Sequence, residues 1–179
     1  MMVNDPVLLA KTLPQLGETA MRDAVRQVLL HRNRPPTVSA LANEALVRFE
    51  SLVQSAAAEG VRPAALFAER DRIVSELRRF ASSRLASRCF GLARRNVLAA
   101  GAQAKPFDAI VRGRDGAPYG LSLRRLPPGP ERLAALPTVT AERTTGRGER
   151  ISGVVTYDFR TGTTHVVRRD GVRRRSAAA

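Results

Sequence analysis

"PFDAIVRGRDGAPYGLSLRR", residues 106–125, decides the fold. Phe107, Ala109 and Val111 alternate with Asp108, Ile110 and Arg112, the period of a β-strand. Asp115-Gly116 is a favoured hairpin turn. Tyr119, Leu121 and Leu123 then alternate again, and "PPGP" (127–130) closes the unit. A hairpin here makes the chain a mixed protein, because what precedes it reads as helix. It also poses a chemical question. One carboxylate, Asp108, stands inside the first strand, where acids are disfavoured.

Upstream, Met21, Ala24, Val25, Val28 and Leu29 recur at helical spacing in residues 17–32, and "NRPP" (33–36) breaks that helix. Thr37 or Ser39 can cap a second helix with an apolar stripe of Leu41, Ala45, Phe49, Leu52, Val53 and Ala56, ending at Gly60. Pro63 suits the first turn of a third. That helical pattern continues to Gly101, with a bend or break expected near Ala81-Ser82-Ser83. Downstream, residues 131–150 read as loop with a short helix at "ERLAAL". "ISGVVTYDFRTGTTHVVRR" (151–169) reads as a second hairpin turning at Thr161-Gly162. The expected fold is α+β, with an α/β core as the alternative: N-terminal helices, then a small mixed sheet with two hairpins. The expected regions are a helical segment 1–75, a core 76–170 and a disordered basic tail 171–179.

The formal net charge is +14 over 179 residues, and the isoelectric point is about 11.6. An excess of this size points to a polyanionic partner. Only Lys11 and Lys105 are lysines among 30 basic residues, and the rest are arginines. One cysteine, Cys89, excludes an intrachain disulfide and a cysteine-based zinc site. It reads as a buried thiol on a helix face. No apolar run suggests a membrane span, no signal peptide is read, and the cytoplasm is the expected location.

A helix, a strand with an acid after a hydrophobic residue, a hairpin turn and a strand ending in polar-x-basic resemble the PD-(D/E)XK nuclease superfamily. The resemblance covers roughly residues 76–126. Pro106-Phe107-Asp108 resembles the first half of the motif and Leu121-Ser122-Leu123-Arg124 the second. Ser122 stands where the acid belongs and Arg124 where the lysine belongs. The resemblance implies a restriction-endonuclease-like core with a Mg²⁺ site, which needs paired carboxylates. Ser122 is a poor substitute, and Arg124 remains protonated and cannot act as a tunable base. Asp108, Ser122 and Arg124 are therefore expected to be vestigial motif positions, with Asp108 neutralised by Arg124 and no metal or cofactor bound. Mg²⁺ enters only under the alternative of a divergent nuclease, for which Glu69, Asp71 or Glu76 would supply an acid. In "AERDRIVSELRR" those acids read more simply as a solvated charged face.

His31 and His165 make no metal spacing, and the serines lack a triad partner. The arginines form the broader candidate surface: Arg84, Arg88, Arg94 and Arg95 before Asp108; Arg112, Arg114 and Arg125 around the first hairpin; Arg168, Arg169, Arg173, Arg174 and Arg175 after the second. Aromatics are only 4% of the chain, too few for a base-stacking platform. The expected function is backbone-directed nucleic-acid binding, DNA favoured over RNA, on a degenerate core without hydrolytic activity. The competing expectation is a protein that docks a partner or a second copy through its N-terminal helices.

Overall fold

The computed structural model describes residues 6–30, 35–56, 61–90, 107–129, 131, 136, 150–168 and 173–176. The fold is α+β: among the described residues, three helices precede a six-stranded mixed sheet. Helix α1 spans Pro6–Leu30, beginning well before the expected start, with Pro14 inside it. Helix α2 spans Val38–Ser55. Its cap is Thr37, whose Oγ1 accepts from Ala40 N at 3.2 Å. Helix α3 spans Pro63–Ala81, with Pro63 in its first turn as expected.

Residues 91–101 of the expected helical pattern lie outside the described residues, and helix α3 breaks beside Ser82-Ser83 as expected. It ends at Ala81, a 3₁₀ turn follows at Ala86–Arg88, and Cys89–Phe90 form strand β1. Serine chemistry explains the break. Ser83 Oγ donates to Phe80 O at 2.6 Å and accepts from Ala86 N, offering the backbone a partner outside the helix.

Strands β2 (Ala109–Arg112) and β3 (Pro118–Arg124) form the first hairpin, and β4 (Gly153–Asp158) and β5 (Thr164–Arg168) the second. Gly116 and Gly162 take φ of 76° and 70° in the two turns, a region that glycine enters without steric cost. Strands lie side by side in chain order; β3 and β4 are parallel and the other neighbours antiparallel. Strand β6 (Arg173–Ser176) corrects the expectation of a disordered tail from 171. The outer edge of β5 presents backbone groups that need partners, and β6 supplies them.

Central strands β3 and β4 are buried nearly throughout, as strands covered on both faces must be. Helices and sheet share one hydrophobic cluster. The expected boundary at residue 76 falls inside α3, between Ile73 and Leu77 of that cluster. Phe80, Tyr157 and Phe159 meet edge to face, with ring centroids 5.2–6.1 Å apart, and lock α3 to the end of β4.

Candidate functional site

Asp108 stands just ahead of β2, and its N–H donates to Leu121 O at 2.8 Å. Register pairs Ala109 with Leu121, so Asp108 stands opposite Ser122. Its carboxylate is buried, at 2% exposure for the residue. Helix α1 crosses over it. Arg22 Nε lies 3.1 and 3.3 Å from the two oxygens, and Arg26 Nη2 lies 2.7 Å from Oδ1. Leu123 N adds a bond of 2.7 Å to Oδ2. Arg124 is therefore not the partner of Asp108, contrary to expectation. Two guanidiniums from α1 fill the acceptor positions, and Arg124 Nη1 lies 3.5 Å from Glu18 instead. Glu18, Arg22 and Arg26 recur every fourth residue and so share one face of α1. Sequence reasoning missed this stripe, although its spacing was in view.

A second buried cluster surrounds Arg125. Nε donates to Glu76 at 2.7 Å, and Nη1 to Glu69 at 2.5 Å and Pro14 O at 2.8 Å. Its backbone N–H donates to Glu18 at 3.0 Å. Arg125 is thus an interior ion-pair residue, which corrects its expected role as a phosphate contact. Glu69 and Glu76 are 2% and 4% exposed and correct the expectation of a solvated acidic face; Asp71 is exposed. Burial raises the Glu76 pKa above its ordinary value, and Arg125 opposes that shift. Gly17 makes room for the cluster: a Cβ there would strike Glu69 Oε1. Among the described residues, the buried Nη2 of Arg125 meets no acceptor.

Asp158 holds the second hairpin's turn. It accepts from the N–H groups of Leu126 and Arg160 and from the Thr161 hydroxyl, at 3.2, 3.1 and 2.7 Å. Cys89 lies in a strand rather than on a helix face. Its thiol donates to Leu85 O, and burial pushes its pKa up to about 12, far from that of a ready nucleophile. His165 is buried and pairs with Thr156 across the sheet.

Of the remaining candidate arginines, some are exposed or half-buried, three lie in β6 and others fall outside the described residues. Arg84 and Arg114 are exposed and Arg88 is half-buried. Arg112 lies over the Phe90 ring, 5.6 Å from its centroid, and donates to Gly116 O. Arg168 Nη2 lies 3.5 Å from Asp115. Arg94, Arg95 and Arg169, like His31, fall outside the described residues. Arg173, Arg174 and Arg175 occupy β6 positions paired with Val167, Val166 and His165.

The donor set does not fit the Mg²⁺ centre that the family resemblance implies. Mg²⁺ prefers carboxylate oxygens and near-octahedral geometry, whereas both Asp108 oxygens already accept from α1 and Ser122 faces Asp108. Among the described residues, no cluster of three or more His, Cys, Asp and Glu is placed to hold an ion, and no helix is long and apolar enough to cross a membrane. Comparison of the chain with protein-family models, curated proteins and solved structures finds no match.

Proposed function

We propose that this chain binds nucleic acid through its phosphate backbone, on a nuclease-like core whose catalytic carboxylate has become structural. The partition of charge supports the reading. Glu69, Glu76, Asp108 and Asp158 are buried, each at most 4% exposed, while Arg84 and Arg114 face solvent. Asp108, Glu69 and Glu76 are each matched by the arginines packed against them, Arg22, Arg26 and Arg125, and the net charge of +14, which counts every acid, favours a polyanionic partner. The helix–strand–hairpin order, with Asp108 facing Ser122, supports the family resemblance. The two guanidiniums on Asp108 support a core without hydrolytic activity. The single cysteine is compatible with the reducing cytoplasm.

Fluorescence anisotropy of labelled random-sequence duplex DNA tests this reading. Log K is expected to fall linearly with log salt, by about 0.9 per phosphate contact. Incubation with Mg²⁺ or Mn²⁺ is expected to leave plasmid and single-stranded DNA intact. Absence of binding at low salt overturns the binding function, and cleavage that disappears in Asp108→Ala restores the divergent nuclease.

A second reading rests on Val47 of α2 and Phe67 of α3, which are 68% and 61% exposed. Large apolar side chains this open support docking of a protein through the helices. A Phe67→Glu variant that loses self-association in sedimentation experiments favours that reading.

A further inference from the structure

Parallel pairing of β3 with β4 sets the two hairpins head to tail. The β2–β3 turn stands at the same end of the sheet as the open end of β4–β5, and the β4–β5 turn stands at the other. Arginines from five segments collect at the first end. Arg88 immediately precedes β1, whose Cys89 pairs with Val111. Arg112 ends β2 opposite Pro118, and Arg114 is exposed in the turn. Arg150 is exposed just before Ser152, whose N–H donates to Pro118 O at 2.9 Å. Arg168 ends β5 opposite Gly153 and reaches Asp115 in the first hairpin's turn. That contact joins the open end of one hairpin to the turn of the other.

The far end has a different character. There Glu18 draws Arg124, Glu69 and Glu76 enclose Arg125, and Arg79 donates to Phe159 O and Arg160 O. We propose that the end carrying Arg88, Arg112, Arg114, Arg150 and Arg168 is the surface that follows the phosphodiester backbone; the proposal rests on the nucleic-acid reading above. Strands about 4.8 Å apart make the rim from β1 to β5 about 19 Å long. One DNA strand carries a phosphate charge every 3.4 Å or so along the helix axis, and the strand winds about that axis, so a rim of that length meets several successive phosphates. Arginines spread along the rim can engage several phosphates at once, whereas an isolated phosphate would engage only part of it. Arg112 and Arg168 are among those already held in place, as is Arg88, whose Nε donates to Arg84 O at 3.3 Å. Arg112 stacks on Phe90, and Arg168 is steadied by Asp115, whose carboxylate is itself fixed by the Tyr119 hydroxyl at 2.7 Å and Ala117 N at 3.1 Å. Groups ordered before binding lose less side-chain entropy on contact.

The test compares two double variants of equal charge. Arg114→Gln/Arg168→Gln alters the rim. Arg78→Gln/Arg160→Gln alters exposed arginines associated with the far end. Circular dichroism checks that both fold, and duplex affinity is measured across a salt series. The rim variant is expected to bind more weakly and to reduce the salt slope by about 1.8, the contribution of two contacts, with the far-end variant keeping the wild-type slope. A wild type that binds while both variants weaken equally, or while the rim variant keeps the wild-type slope, overturns the surface but not the nucleic-acid reading. A wild type that binds no duplex at low salt overturns both.

Discussion

Arg26, near the end of α1, holds Asp108, at the head of β2, across 2.7 Å. Arg22 engages the same carboxylate one helical turn earlier. A helix laid over a strand has thus turned an acid unsuited to a sheet interior into the point that anchors helix to sheet. The contact also fixes what removing each partner should do.

Asp108→Ala leaves two guanidiniums and the Leu123 N–H without their acceptor. The expected loss of stability is roughly 3 kcal/mol, toward the low end for a broken buried pair, because the Arg26 side chain is 31% exposed and stays partly hydrated. Asp108→Asn keeps an acceptor for Leu123 N and should lose less. Adding Arg22→Leu to Asp108→Ala should recover part of the deficit, and adding Arg124→Leu should recover none. Urea denaturation of the four variants checks the order.

Gly17→Ala should destabilise. In an ordinary helix interior the same change gains about 0.8–1 kcal/mol. Here the new Cβ would strike Glu69 Oε1 and lie 3.1 Å from Arg125 Nη1, so the buried ion pair must shift. An overpacking cost of about 1–3 kcal/mol reverses the sign of the propensity gain. A lower melting temperature for Gly17→Ala supports this account, and a higher one shows that the cluster yields freely.

Stability should fall with rising pH on account of Glu76. An unfolded glutamate titrates near 4.5, and burial holds the folded one above that value. Between the two values the native state binds more protons than the unfolded chain, so its stability decreases as pH rises from about 4.5 through the folded pKa. Glu76→Gln removes this contribution. Its stability profile, from chemical denaturation at a series of pH values, should be flatter above pH 4.5 than that of the wild type, whatever its overall offset.

Local signals made the hairpins legible. Gly116 and Gly162 take the positive φ that the turns required, and the alternation around them survived as strands. Thr37 and Pro63 marked helix starts for the same reason: each acts within one turn of its own position. The start of α1 was hidden because Pro14 and Gly17 are poor helix formers that tertiary contacts accommodate, Pro14 O with Arg125 and Gly17 with Glu69. The parallel pairing of β3 with β4 left no local mark, since it joins segments separated by a long connection.

The site was legible only at Asp108 itself. Neither Arg22 nor Arg26 differs in sequence from the other arginines, and what selects them is a crossing of α1 over β2 that no short window records. Glu69 and Glu76 could have been found. They fall on the helical stripe of Ile73, Leu77 and Phe80, so burial was implied by the same period that identified the helix. The charged residues between them masked that pattern.

Arg125 has a consequence for how the protein is made. Its partners Pro14, Glu18, Glu69 and Glu76 lie 111, 107, 56 and 49 positions earlier in the chain. Contacts so distant along the chain slow folding, because loop closure precedes any gain. During synthesis the three helices leave the ribosome before Arg125 can reach Glu69 and Glu76, with only Arg72 on the same helix to pair with Glu69, and before Asp108 can join Arg22 and Arg26. The late-made half therefore locks the early half, and a chain released before β3 is complete becomes a client for chaperones and proteases rather than a folded fragment.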